Sequence, residues 1–296
     1  MKIHLVDGTF ELFRAHYSPR PGRTAPDGRD VKATHGLAQS LIALLGQPDV
    51  THLAVAFDSV IRSFRNDMFD GYKTGDGVEP DLLAQFPLAE RITATLGITV
   101  WPMQEFEADD AIATAAVRFA AIPEVEQVVM CSPDKDMSQV VSGTRVVMLD
   151  RRKGEVIDEA GVVNKFGVPP SAIADYLALV GDSADGIPGI PRWGARSTAT
   201  VLSRYGHIED IPADMATWDV KVRGAGNLMA ALTEQWDDAL LYRDLATLRL
   251  DVPLDETEPE QVRWTGVRRP VLDELCGSLG LESLLERLPA EPEQSS

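Results

Sequence analysis

The chain has 296 residues, of which 44% are hydrophobic and 25% charged, a composition that indicates a globular protein with a sizeable core and excludes a disordered one. No apolar run approaches the roughly 20 residues that span a bilayer, and no signal-peptide pattern follows Met1, so a cytoplasmic location is predicted. The net charge of −18 argues at first against a nucleic-acid partner, but the basic residues are concentrated at 14–32, 62–73 and 192–204.

Short β-branched runs alternate with helical patterns in the first half of the chain. The predicted strands are "IHLVD", "HLAVAFD", "GITVW", the first part of "EQVVMCSPDKD", and "TRVVML". The predicted helices lie at about 34–46, 81–96, 108–121 and 135–141. Strands that are separated by helices indicate an α/β fold with a mostly parallel central sheet flanked by helices.

From about residue 170 the pattern changes to helices and loops. The segment "SAIADYLALVGD" predicts a helix closed by glycine, "GIPGIPRWG" a tight loop, and "ARSTATVLSRYG" a second helix. The segments "GNLMAALTEQWDDALLYRDLATL" and "RPVLDELCGSLGLESLLERL" predict amphipathic helices, and the tail "PAEPEQSS" is predicted to be disordered.

Each of the first four strands ends at, or shortly before, an acidic residue. Acids also favour strand-ending turns and helix N-termini for local reasons, so any one of them alone has an ordinary structural explanation. In open α/β sheets, however, ligands bind beyond the carboxyl ends of the strands, where these acids would meet. The four strands supply seven acids, and two more lie just before the Pro/Gly loop of residues 181–206. The complete set is Asp7, Asp58, Glu107, Asp109, Asp110, Asp134, Asp136, Asp182 and Asp185.

Oxygen ligands without a His or Cys cluster favour Mg²⁺ or Mn²⁺ over Zn²⁺. Nine acids exceed what one Mg²⁺ ion takes and suit two or more ions, which can activate a water and stabilise the leaving oxygen of a phosphodiester. A glycosidase would need only two carboxylates. The acids therefore predict a two-metal phosphodiesterase.

Two further segments flank the acidic residues. Residues 181–206 read as two helices joined by a Pro/Gly loop, either a plain helical hairpin or an element that directs backbone N–H groups at a phosphate. The stretch "SFRNDMFDGYKTGDG" reads as a surface helix and flexible loop when taken alone. Its position after the Asp58 strand, however, places Arg65, Tyr72 and Lys73 over the rim of the acidic crevice.

Together these stretches resemble the bacterial 5′ nuclease family, which includes the 5′–3′ exonuclease domain of DNA polymerase I and stand-alone flap endonucleases. The resemblance rests on "LVDG", "AFDS", "SFRNDMFDGYKTG", "EADD", "SPDKDM", "GDSAD" and "GIPG", in this order along nearly the whole chain. It implies a PIN-like nuclease core at 1–168 with a helical arch at about 60–96. It also implies a helical DNA-binding region at 169–296, with a helix–three-turn–helix at about 172–206.

The resemblance assigns roles to the residues that match its motifs. Five acids would bind the first metal ion directly or hold the water molecules bound to it: Asp7, Asp58, Glu107, Asp109 and Asp110. The corresponding acids of the second ion would be Asp134, Asp136, Asp182 and Asp185. Lys73 would contact the scissile phosphate from the base of the arch, with Arg65 and Tyr72 beside it. The predicted DNA-binding residues are Arg14, Gly189, Arg192, Gly194, Arg196 and Ser197.

Three positions depart from the family pattern. Asp76 stands where an arch arginine is usual, and Gly186 stands where an Asn usually follows the last acid. The usual Gly-x-Gly of the DNA-gripping loop reads Arg192-Trp193-Gly194, which bears on the K⁺ ion that the resemblance implies in the 186–194 loop. Arg192 and Arg196 would supply cations in its place.

The sequence thus predicts a monomeric, metal-dependent 5′ nuclease of DNA replication and repair. Its partners would be DNA with a 5′ flap, nick or 5′ end, and RNA primer–DNA hybrids. One alternative is a PIN-type single-strand ribonuclease, which typically stops near 130–150 residues and lacks the arch and the 181–206 element. The other is a non-catalytic protein that binds branched DNA, against which the complete acidic sites argue.

Overall fold

The structure is a computed structural model that describes residues 1–75 and 77–292. It contains two compact units, each made of separate chain segments. Unit 1 comprises residues 1–61, 75–132 and 250–296, and unit 2 comprises residues 62–74 and 133–249. The consecutive domains that the sequence predicts, meeting after residue 168, stay a prediction. The predicted arch residue Asp76 and the last four residues of the tail, 293–296, lie outside the described residues.

Unit 1 is built on four parallel strands. They are β1 (Lys2–Asp7), β2 (His52–Asp58), β3 (Thr99–Met103) and β4 (Gln127–Cys131). Their order is β3-β2-β1-β4, with pairings such as Asp7 with Ala56 and Asp58 with Met103. Strands β1 and β2 are buried along nearly their whole length, as parallel strands covered on both faces are. Asp7 and Asp58 consequently end neighbouring strands at one edge of the sheet.

Helices and 3₁₀ segments complete unit 1 within the described residues. In chain order they are α1 (Gly8–His16), α2 (Lys32–Leu45), α4 (Pro80–Leu83), α5 (Phe86–Thr95), α6 (Ala108–Ala120), the 3₁₀ helix Pro259–Val262, α12 (Arg269–Leu279) and the 3₁₀ helix Glu282–Arg287. α1 begins where β1 ends, and the Asp7 carboxylate caps it by accepting the Phe10 N–H at 2.8 Å.

Unit 2 is mostly helical. Its strands β5 (Val146–Asp150) and β6 (Glu155–Ile157) pair antiparallel. Its helices are α3 (Arg65–Met68), α7 (Glu159–Phe166), α8 (Ile173–Val180), α9 (Ala195–Tyr205), α10 (Ala225–Glu234) and α11 (Trp236–Ala246). The 3₁₀ helices are Asp136–Val140, Pro170–Ala172, Ile208–Asp210 and Met215–Thr217. Gly181 and Gly206 follow α8 and α9, as the sequence predicted.

The remaining differences from the predicted elements have local causes. The helix predicted at 81–96 is interrupted after Leu83 and restarts at Phe86, because Pro87 is tolerated only in a first helical turn. Residues 136–140 form a 3₁₀ helix, and helices α1 and α7 (Glu159–Phe166) and the short strand β6 were not anticipated. Among residues 1–75 and 77–292, no helix combines the length and apolar character that crossing a bilayer requires.

Candidate active site

Three buried carboxylates of unit 2 lie together. The carboxylate oxygens of Asp136, Asp182 and Asp185 are within 4.8 Å of one another, and each residue is at most 5% exposed. Asp136 begins a 3₁₀ helix, and Asp182 follows the end of α8. Reciprocal backbone hydrogen bonds of 2.8 Å between Asp182 and Ile187 close the turn that carries Asp185. Three acidic side chains at this separation repel one another strongly unless a cation lies among them.

The environment of Asp136 suits a cation. Burial raises the pKa of its carboxyl group well above the usual value, and the nearby carboxylates of Asp134, Asp185 and Asp182 raise it further. The Asp136 Oδ1 atom is buried and has no hydrogen-bond partner among the described residues. Asp134 lies beside it and accepts the Asp136 N–H at 3.1 Å. An unsatisfied buried carboxylate oxygen among other oxygens fits a hard divalent ion.

Two lysines partly neutralise the three acids. The Lys135 ammonium lies 2.7 Å from Asp182, and the Lys73 ammonium lies 3.3 Å from Asp185. Burial alone would lower the pKa of Lys135, but the hydrogen bond to Asp182 and the charges of Asp182, Asp136 and Asp134 raise it. The sequence interpretation assigns Lys135 no role. The signal that could have found it is its position between two of the predicted ligands in "SPDKDM".

Lys73 is held in place by its backbone as well as by its side chain. Its N–H donates to the Asp185 carbonyl at 3.1 Å, and its φ of 30° is in the left-handed region that non-glycine residues rarely adopt. Gly186 has a φ of 78°, and a Cβ at that position would lie 2.2 Å from the Gly71 carbonyl oxygen. The departure to glycine at 186 therefore permits the segment before Lys73 to pack directly against the loop that carries Asp185.

Arg65 and Tyr72 occupy the interior of unit 2, at 1% and 2% exposure. The Arg65 guanidinium donates at 2.8 Å to the carbonyls of Leu245 and Thr247, which end α11 or directly follow it. It also lies 4.6 Å from the centre of the Phe64 ring. The burial and these partners favour a structural role for Arg65, in which it fixes the chain before Lys73.

The five acids predicted for the first metal belong to unit 1, and hydrogen bonds to backbone N–H groups orient three of them. Asp7 accepts from Phe10 as described, and its other oxygen accepts the Ser132 hydroxyl at 3.1 Å. Asp58 accepts the Ala108 N–H at 2.8 Å, and Asp110 accepts the Glu107 N–H at 3.0 Å. These bonds stabilise the start of α6 and the carboxyl ends of the strands.

The same five acids differ in exposure. Asp7, Glu107 and Asp110 are buried, whereas Asp58 and Asp109 are partly exposed. In the part of the chain that the structure describes, no three of these five acids have ligand atoms as close together as those of Asp136, Asp182 and Asp185. The role of the unit 1 acids as metal ligands stays a prediction.

The loop between α8 and α9 keeps a turn, although Arg192-Trp193-Gly194 departs from the Gly-x-Gly pattern of the family. Arg192 adopts a φ of 75°, so the backbone keeps a left-handed conformation where the family has glycine. Trp193 is 3% exposed, and its indole N–H donates to the Leu228 carbonyl at 2.9 Å. The Ser197 hydroxyl is bonded to the backbone of Gly194, which precedes α9.

The remaining predicted DNA-binding residues differ in their surroundings. Arg192 and Arg196 are exposed and have no acidic partner within 4.0 Å among residues 1–75 and 77–292. Gly189 has a φ of 75° and a backbone contact that leaves no space for a Cβ, so packing alone explains this glycine. Arg14 pairs with Glu11 and donates to the Ser40 hydroxyl at 3.1 Å. Of these positions, Arg192 and Arg196 therefore combine exposure with uncompensated charge.

Buried carboxylates with lysine side chains beside them suit a site that binds a cation. The family models are more specific. Residues 2–167 match the family described as "5'-3' exonuclease, N-terminal resolvase-like domain", and residues 168–270 match "5'-3' exonuclease, C-terminal SAM fold". The chain belongs to the 5′–3′ exonuclease family.

Individual relatives agree with this assignment. The 5'-3' exonuclease of Aquifex aeolicus is 30% identical over 97% of this chain and 94% of its own length. The DNA polymerase I of Rhizobium leguminosarum is 37% identical over 86% of this chain. The chain spans only 25% of that polymerase. The predicted family, the 5′–3′ exonucleases, is confirmed.

Solved structures confirm the fold class. The T5 5'-exonuclease with bound zinc superposes with a TM-score of 0.64 at 18% identity, covering 97% of this chain and 99% of the phage enzyme. The catalytic core of Rad2 with its DNA substrate gives a TM-score of 0.61 at 14% identity, covering 98% of this chain and 92% of that core. At these identities the likeness concerns the fold alone.

Proposed function

We propose that this protein is a metal-dependent 5′ nuclease that hydrolyses phosphodiester bonds in branched or nicked DNA, including 5′ flaps and RNA primers, during replication and repair. The observation that carries the proposal is the group of three buried carboxylates with Lys73 and Lys135 against it. Family membership supplies the reaction class, and this group supplies a site in unit 2 that suits the reaction.

Asp136, Asp182 and Asp185 would hold a divalent ion of oxygen preference, Mg²⁺ or Mn²⁺. Such an ion lowers the pKa of a bound water and stabilises charge on the leaving oxygen. The five unit 1 acids are proposed as ligands of a first ion. The Asp134 carboxylate orients Asp136 by accepting its N–H.

Lys73 is proposed to contact the scissile phosphate. Its side chain is 27% exposed, so the ammonium can reach a substrate while remaining beside Asp185. Negative charge that develops on the phosphate oxygens would be stabilised by this fixed cation. Arg65 and Tyr72 would act through Lys73, because both are buried and their segment sets its backbone. The arch at about 60–96 is proposed to begin with this segment.

DNA binding is proposed for the loop between α8 and α9. Arg192 and Arg196 are exposed cations without acidic partners in the described chain, and the backbone turn at Arg192 is retained. Arginine forks of this kind suit phosphate oxygens. A K⁺ ion in the 186–194 loop and a monomeric state remain predictions of the family resemblance.

The experiment is a panel of 5′-labelled flap, nicked, blunt and single-stranded DNA, together with single-stranded RNA, incubated with Mg²⁺ or Mn²⁺. Cleavage of flap and nicked DNA with release of 5′ fragments supports the proposal. Exclusive cleavage of single-stranded RNA would favour a PIN-type ribonuclease, and binding without turnover would favour a non-catalytic DNA-binding protein.

Asp182→Asn separates catalysis from binding in the same panel. The variant should lose at least about 10²-fold in single-turnover rate while its affinity for flap DNA changes little, because the carboxylate acts on the reaction and not on DNA binding. Asp237→Asn, an exposed acid of α11, is the charge-matched control. Flap cleavage by Asp182→Asn within a few-fold of wild type would refute the metal assignment.

A further inference from the structure

A second site of opposite charge lies in unit 1. A cavity of about 390 Å³ opens between the C-terminal end of α1, the following loop and α2. An adjoining cavity of about 360 Å³ shares part of its lining and adds Arg14. No acidic residue lines either cavity among the described residues. The basic residues and the histidine of the larger cavity are Arg20, Arg23, Lys32, His35 and Arg287.

Three of the four cations of this cavity bind neutral groups in the described part of the chain. Arg23 donates to the Gly280 carbonyl at 2.8 Å, Lys32 donates to the Ser18 carbonyl at 2.8 Å, and Arg20 donates to the Gln39 side chain at 2.9 Å. Within residues 1–75 and 77–292, none of these three has a carboxylate within 4.0 Å.

Arg287 likewise has no carboxylate within that distance in the described chain. The absence of acids is notable because Asp and Glu outnumber Lys and Arg by 46 to 28. Four cations that face one cavity without a counter-charge raise the local potential and attract anions.

The surroundings of the cavity lower the pKa of His35. Its ring Nε2 lies 3.3 Å from an Arg23 guanidinium nitrogen. Burial, followed by the charges of Arg23, Arg20 and Arg287, lowers the pKa of His35 to about 4. Burial is the larger cause of this lowered pKa, and the three arginine charges around the ring add to it.

We propose that this cavity binds phosphate groups of the DNA substrate, separately from the acidic residues at the end of β1. Arginine forks fit phosphate oxygens with two parallel hydrogen bonds, and three of the four cations are arginines. α1 connects the two places, since Asp7 caps its first turn and Ala15 lines the cavity. The eight residues from Asp7 to Ala15, at 1.5 Å each along the helix, separate the two places by about 12 Å. This distance equals the rise of between three and four nucleotides along the axis of duplex DNA.

The identification of the anion as a DNA phosphate rests on the proposed function. The assignment of the cavity as an anion site does not depend on it. Phosphate could come from the strand backbone or from a strand terminus. The test therefore compares duplex DNA without terminal phosphates with the same duplex carrying them. Binding is measured in EDTA, so that cleavage does not intervene, over a series of KCl concentrations.

The variant is Arg20→Gln/Arg287→Gln, because both side chains are exposed and neither bonds an acid in the described chain. The matched control is Arg263→Gln/Arg269→Gln, which removes two exposed arginines that already pair with acids of unit 1. Equal melting temperatures confirm that both variants fold.

The cavity variant should lower the slope of log K against log [KCl] by about 1 for each phosphate that the protein no longer neutralises, which is about a tenfold loss of affinity at 0.1 M salt. The control should keep the wild-type slope. A change with both duplexes identifies backbone phosphates, and a change only with the phosphorylated duplex identifies a terminal phosphate. Inorganic phosphate should also raise the pKa of His35 in wild type, as measured by NMR.

An unchanged slope in the cavity variant, together with an unchanged His35 pKa on adding phosphate, would overturn the inference. Failure of the proposed function has a different signature, since wild type would then cleave no member of the substrate panel in Mg²⁺.

Discussion

Replacing Asp136 by Asn tests whether the three buried carboxylates are a cation site. At about 4.8 Å and an effective dielectric near 20, each pair of like charges repels by about 3.5 kcal/mol. Lys73 and Lys135 offset part of this repulsion. We therefore expect the metal-free Asp136→Asn variant to be more stable than wild type by about 2 kcal/mol, or about 4–8 °C in melting temperature.

The difference in stability between metal-free Asp136→Asn and wild type should depend on pH. The folded-state pKa of Asp136 is raised above its unfolded value, so its stabilising contribution is complete below the unfolded pKa and is lost as pH rises through the folded one. The advantage of the variant should thus grow as pH increases from about 4. Mg²⁺ should reverse the order, because it stabilises the folded wild type by RT ln(1 + [Mg²⁺]/Kd) and the variant less.

The assay is a set of thermal melting curves for wild type, Asp136→Asn and the exposed control Asp237→Asn, from pH 4 to 8, in EDTA and in Mg²⁺. The control should follow wild type in both conditions. If metal-free Asp136→Asn melts at or below wild type at pH 7.5 and Mg²⁺ shifts both equally, the three acids are not a cation site.

Three further outcomes are expected. Lys73→Ala should lower the single-turnover cleavage rate by about 10²-fold, with partial recovery in Lys73→Arg, and an unchanged rate would place this lysine outside the reaction. Gly186→Ala should cost more than about 2 kcal/mol in denaturant unfolding because of its φ and the Gly71 carbonyl, whereas Gly194→Ala, with no atom within 4 Å of the new Cβ, should cost less than about 1 kcal/mol. Wild type should lose stability relative to His35→Gln as pH falls from about 6.5 to 4, since the folded pKa of His35 is about 4. Solvent screening at this partly exposed side chain limits the difference to about 1–2 kcal/mol, and parallel stability curves would contradict the shift.

The sequence determined most elements of the fold and the chemistry of the candidate site. Short β-branched apolar runs that end in acids predicted β1 and β2 with Asp7 and Asp58 at their ends, and the parallel register confirms that these two strands are neighbours. Gly181 and the loop after it predicted where α8 ends. These features are local, because strand ends, caps and glycine turns depend on residues a few positions apart.

The family resemblance assigned Asp136, Asp182 and Asp185 to one metal site, but the tertiary structure decided how closely they meet. The positions lie more than 40 residues apart, and the contact depends on how the 3₁₀ helix that starts at Asp136 packs against α8. No local pattern encodes that packing. The packing of the 3₁₀ helix against α8 depends on the burial of apolar side chains, and many different apolar sequences can fill such a core.

The environments of single side chains were likewise beyond sequence reasoning. Arg65 read as an exposed cation, but the open carbonyls at the end of α11, about 180 residues away, hold its guanidinium inside unit 2. The sequence interpretation gave Lys135 no role, and the structure pairs it with Asp182. The sequence shows which side chains carry a positive or a negative charge. Whether a charge meets water, a carbonyl or an opposite charge depends on long-range packing, and only the tertiary structure decided it.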